Sequence, residues 1–121
     1  MNTPRKIVVV EDEKDILDMI CRSLGRAGYK VYPTQTCSEG FKAMQQEQPL
    51  LLLTDNFLPD DQGRELIRKI KGNPATSGIK TILMTAGVFQ SAGKDTATPD
   101  YLLQKPFALR ELNAVINSML G

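Results

Sequence analysis

Two uninterrupted apolar runs, each closed by acid, limit what this chain can fold into more than any other feature. Ile7-Val8-Val9-Val10 runs into Glu11-Asp12, and Leu50-Leu51-Leu52-Leu53-Thr54 runs into Asp55. Short continuous apolar runs bounded by polar residues read as strands covered on both faces, the condition of a parallel sheet. In open parallel sheets, ligands bind beyond the carboxyl ends of the strands. Three acids gathered at such an edge repel one another, and a hard divalent cation, which prefers oxygen ligands, relieves the repulsion. The pattern predicts an acidic pocket of the magnesium type built from Glu11, Asp12 and Asp55.

The remaining segments alternate in kind. Strands are predicted over residues 6–10, 30–33, 50–54, 81–84 and 101–104, and helices over 15–27, 38–48, 63–71 and 108–120. Ile16, Leu17, Ile20 and Leu24 stripe the first helix, Phe41 and Met44 the second. Leu66, Ile67 and Ile70 stripe the third, and Leu109, Leu112, Val115, Ile116 and Met119 the last. Gly28 offers a left-handed stop after the first helix, and Pro49 closes the second. Strictly alternating strands and helices imply right-handed crossovers and helices on both faces of a parallel sheet. One interval breaks the rule. Between Gly87 and Pro99 only Val88 and Phe89 are large and apolar, so no stripe exists to dock there. A loop or a short, irregular fourth helix is expected.

Composition removes several functions. With 121 residues, 41% apolar and 24% charged, the chain suits one soluble globular domain with a single core. A net charge of +1 from mixed signs gives no electrostatic reason to bind nucleic acid or an anionic membrane. Arg64, Arg68, Lys69 and Lys71 are expected to cover the solvated face of the third helix. No segment has the roughly 20 apolar residues of a membrane span. The first strand begins almost at once, so no secretory leader is expected, and a cytoplasmic location follows. Cys21 and Cys37 have no metal-ligand or redox spacing; the first is expected in the core and the second at a helix start. The chain has no histidine, which excludes a Ser-His-Asp triad, a Cys-His pair, an HExxH zinc site and a phosphohistidine of its own. Glycine-rich phosphate loops are also absent. Chemistry is left to carboxylates, lysine, hydroxyls and a metal.

Two further polar residues close strands: Thr85 after Ile82-Leu83-Met84, and Lys105-Pro106 after Leu102-Leu103-Gln104. With them, essentially the whole chain resembles the receiver domain of bacterial two-component response regulators. The resemblance rests on Glu11-Asp12, on Asp55 with Leu58-Pro59 and Gly63, on Thr85-Ala86, and on Lys105-Pro106-Phe107, all in order. It implies a single receiver domain over residues 1–121 with a flavodoxin-like, doubly wound five-stranded sheet in the order 2-1-3-4-5. Asp55 would accept a phosphoryl group from the phosphohistidine of a sensor histidine kinase or phosphotransfer protein. Asp12 and Asp55 would ligate Mg2+ directly, Glu11 mostly through a water, and Phe57 through its backbone carbonyl. Thr85 would donate its hydroxyl to one phosphoryl oxygen and Lys105 would neutralise another. Phosphoryl transfer is mainly positioning and charge neutralisation, which these groups supply.

The resemblance also implies a non-enzymatic switch that binds a downstream protein of unspecified identity. It admits a phosphorylation-dependent dimer as well, and leaves open whether the chain stands alone or belongs to a longer regulator. Three departures bear on output. The acid pair is Glu-Asp rather than Asp-Asp. The position three before the lysine, usually aromatic, is Leu102, with Tyr101 one residue earlier and therefore on the opposite strand face. Thr98-Pro99-Asp100 replaces the usual acidic stretch before the fifth strand. A constitutive interaction module, a receiver fold that no longer relays phosphate, remains the alternative. A hydrolase of the haloacid dehalogenase type needs a second acid two residues after Asp55, where Phe57 stands.

Overall fold

A computed structural model describes residues 3–86 and 98–121. Its elements are β1 (Lys6–Val10), α1 (Lys14–Arg26), β2 (Lys30–Thr34), α2 (Cys37–Glu47), β3 (Leu51–Asp55), α3 (Gly63–Lys71), β4 (Lys80–Thr85), β5 (Tyr101–Gln104) and α4 (Leu109–Leu120). The strands form one parallel sheet in the order β2-β1-β3-β4-β5. The expected fold class and strand order are both present. Among the described residues, no helix is long and apolar enough to cross a membrane.

The apolar runs are continuous because both sides of the sheet are covered. Ile7 and Val9 pack with Leu17, Ile20 and Leu24 of α1 and Leu112 and Ile116 of α4. Val8 and Val10 face Met44 of α2 and Leu66, Ile67 and Ile70 of α3. Period-two alternation thus deals one run into two cores. Each such side chain, fully buried, contributes about 1.5–3 kcal/mol.

β1 and β5 have their expected bounds, and the other three strands each run one residue past the expected carboxyl end. β3 starts at Leu51, leaving Leu50 exposed, and continues through Asp55, which is in register with Met84. β4 likewise includes Thr85, and β2 reaches Thr34. Ladder bonding depends on the backbone, so it outlasts the apolar side chains by a residue. The helices match within a residue. Gly28 has φ +98°, as a left-handed stop requires, whereas α2 is closed by Gln48 at φ 48°, just before Pro49. Thr36 caps α2, so Cys37 is its first helical residue, as expected.

At the amino ends of β4 and β5, Asp100 forms a clamp. It accepts from the Thr81 N–H at 2.8 Å, the Thr81 hydroxyl at 3.1 Å and Lys71 Nζ at 2.7 Å. Tyr101 lies opposite Ile82, while Leu102 packs on the α2/α3 side of the sheet. The two therefore occupy opposite faces, as strand parity predicts. The expected loop or irregular helix falls on residues 87–97, outside the described residues.

Candidate metal centre

Four strands end at the same edge and deliver the predicted side chains there. Ligand oxygens of Glu11, Asp12 and Asp55 all lie within 4.8 Å of one another. Lys105 reaches in from the end of β5, with Nζ 2.9 Å from Glu11 Oε1 and 3.3 Å from Asp55 Oδ1. It does not snorkel to solvent. Glu11 is buried rather than a solvated turn residue, and Asp12 is the exposed member of the trio. Three carboxylates against one ammonium leave two negative charges, which one divalent cation balances.

The protonation equilibria reflect that excess. Burial pushes the Glu11 carboxyl above its ordinary value; Asp55's charge adds to this and Lys105 opposes it. Asp55 is also raised, by burial first and by Asp12 after it, against the pull of Lys105. Burial alone would lower Lys105, but its bond to Glu11 and the charge of Asp55 hold it above the usual lysine value. Glu11 Oε2 is buried without a hydrogen-bond partner among the described residues. A buried carboxylate oxygen left unpaired is unfavourable by kilocalories. An all-carboxylate donor set with an orphaned oxygen fits a hard divalent cation such as Mg2+.

The backbone of Asp55 is fixed from several sides. Thr54 Oγ1 donates to the Asp55 carbonyl at 2.9 Å, and the Asn56 N–H donates to the Met84 carbonyl at 3.0 Å. Asn56 in turn accepts from the Gly63 N–H at 2.7 Å on its carbonyl and from the Arg64 N–H at 3.3 Å on its side chain. A Cβ at Gly63 would collide with the Asp55 carbonyl oxygen, which explains a glycine at the start of α3. Sequence reading missed Thr54 and Asn56; their only signal was a polar pair flanking the acid at the end of a leucine run. Phe57 follows with its side chain exposed, in a bridge to Gln62. Thr85 is buried at the end of β4, between β3 and β5, and its carbonyl accepts from the Lys105 N–H at 2.8 Å. The Lys105–Pro106 peptide is cis. All six predicted positions therefore belong to one sheet edge.

A family model described as the response regulator receiver domain matches residues 7–117. The chain is similar to the phosphate regulon transcriptional regulatory protein PhoB of Pseudomonas aeruginosa, with 32% identity over 119 residues. That match takes in 96% of this chain and 52% of the relative, so the chain spans about half the relative's length. A crystal structure of a CheY-like response regulator receiver domain protein from Methanospirillum hungatei superposes with a TM-score of 0.86 at 30% identity. It covers 98% of this chain and 94% of the other. The chemotaxis response regulator CheY4 of Vibrio cholerae gives a TM-score of 0.86 at 21% identity, over 98% and 100% of the two chains. That last likeness speaks to the fold alone.

Proposed function

The chain belongs to the response regulator receiver domain family, and on that premise we propose that it accepts a phosphoryl group on Asp55 in a Mg2+-dependent reaction. The donor is the phosphohistidine of a sensor kinase or phosphotransfer protein, and the product switches a protein-binding surface. One observation carries this reading: three carboxylates within 4.8 Å, two of them bridged by Lys105. Glu11, Asp12 and Asp55, with the Phe57 carbonyl, would hold the metal. Bound magnesium supplies neutralisation of phosphoryl charge at the transition state.

The chain's own groups do the rest. An Asp55 carboxylate oxygen attacks phosphorus as the phosphorus–nitrogen bond breaks, and the electron pair leaves on the imidazole. Lys105, already 3.3 Å from Asp55 Oδ1, moves its positive charge onto a phosphoryl oxygen, and the Thr85 hydroxyl donates to another. Later attack by water breaks the phosphorus–oxygen bond and returns Asp55 with inorganic phosphate. Phe57 offers that water no side-chain hydrogen bond. Self-phosphorylation from small acyl phosphates and self-dephosphorylation are the only reactions required of the chain itself. Incubation with acetyl phosphate and Mg2+ should add one phosphoryl mass, and Asp55→Asn should remove the gain. A gain that survives Asp55→Asn would overturn the assignment.

A further inference from the structure

Both loops that carry the acidic pocket are tied to one place, the start of α2. On the β1 side, Gln35 Nε2 donates to the Asp12 carbonyl at 3.2 Å. On the β3 side, the Asp60 carboxylate accepts from the Cys37 N–H at 2.9 Å and the Ser38 N–H at 3.0 Å. The start of α2 is itself fixed by reciprocal caps. Thr36 Oγ1 accepts from the Glu39 N–H at 3.1 Å, and Glu39 Oε1 accepts from the Gln35 N–H at 3.0 Å. Gly40 lets the helix pack close against the sheet. A Cβ on Gly40 would stand 2.6 Å from Val10 Cγ2 and 3.2 Å from Leu66 Cδ2.

We propose that Gln35 and Asp60 are positioning residues for the metal, holding the Asp12 loop and the Phe57–Gln62 loop at the separation that metal binding needs. The inference rests on the magnesium reading above. β1 and β3 pair directly as far as Val10 and Thr54; the Asp12 loop and the Phe57–Gln62 loop lie beyond that pairing, and each is bonded to the start of α2. The Asp60 carboxyl is held below the usual carboxylate range by the Cys37 N–H. Outer residues that orient metal ligands typically change affinity by about 10–100-fold when removed.

Calorimetric titration of metal-free protein with MgCl2 tests the proposal, alongside metal-free melting temperatures. Asp60→Ala should raise the magnesium Kd by about tenfold and Gln35→Ala by several-fold. The double variant should fall short of the product, because both residues act through one helix start. Asp61→Asn removes a charge from the same loop, so it measures the electrostatic share alone and should change little. Gln35 is exposed and uncharged, so its variant folds and leaves the pocket's charge untouched. An ordinary helix cap would lower the melting temperature and leave the magnesium Kd alone; that outcome overturns the proposal. Equal losses in Asp61→Asn and Asp60→Ala would overturn it too. If the unmodified chain takes up no magnesium, the reading of the pocket fails first, and this inference with it.

Discussion

Glu11 and Asp55 bind their protons more tightly in the folded chain than in the unfolded one, because burial and mutual charge disfavour the anions. The sign follows from linkage. Groups with raised folded values give stability that is complete below their unfolded values, near 4.5 and 3.8, and lost as pH rises through the folded ones. Magnesium bound as proposed would compete with those protons and remove the repulsion. The gain in melting temperature from millimolar Mg2+ should therefore be larger at about pH 8 than at about pH 5. Melts at both pH values check this, and a gain that ignores pH would place the cation elsewhere. Gly63 is the other decisive single residue. A methyl group there meets backbone, which cannot swing aside as a side chain would. Gly63→Ala should lower stability by about 1–3 kcal/mol and slow phosphorylation by displacing Asp55. Denaturant titration and a time course of mass gain measure the two effects. The acids were legible in the sequence because each ends an apolar run. Asn56 was not, since its role depends on where Met84, Gly63 and Arg64 arrive in space.

Elements were legible where their pattern was long. The runs 7–10 and 51–53 and the stripes of α1, α3 and α4 all sit where periodicity placed them. Ends were less legible, because Asp55, Thr85 and Thr34 extend the ladders as backbone, whatever their side chains. The start of α2 shows the limit best: its cap at Thr36 is local, but its bonds to Asp12 and Asp60 join residues 22 or 23 apart. Asp100 works on the same scale at the opposite edge of the sheet. Burial alone would raise its carboxyl, but the Lys71 ammonium and the Thr81 N–H more than reverse this, leaving it below the usual range. Its contribution is present above the unfolded carboxylate value and lost as pH falls through the lowered folded one. Asp100→Ala should cost about 1–3 kcal/mol through the Thr81 N–H it leaves unbonded. Phosphorylation at the far edge should keep its rate. Melting curves and mass gain on one sample check both, and a slowed reaction would link the two edges.

For the molecule as a whole, topology converts a linear pattern into a site. The order β2-β1-β3-β4-β5 sets β1, β3, β4 and β5 ends side by side, so residues 11, 12, 55, 85 and 105 meet although they span most of the chain. That convergence was legible because every one of them closes a strand, and parallel strands close on one edge. The interval 87–97 is the exception, since no periodicity guides a reading there. The chemistry itself is open to one direct measurement. Protein treated with acetyl phosphate and Mg2+ can be reduced with borohydride, which converts an aspartyl phosphate to homoserine, and then digested and sequenced by tandem mass spectrometry. Homoserine should appear at position 55 and only when Mg2+ was present. Homoserine at another acid, or at position 55 regardless of magnesium, would contradict the account.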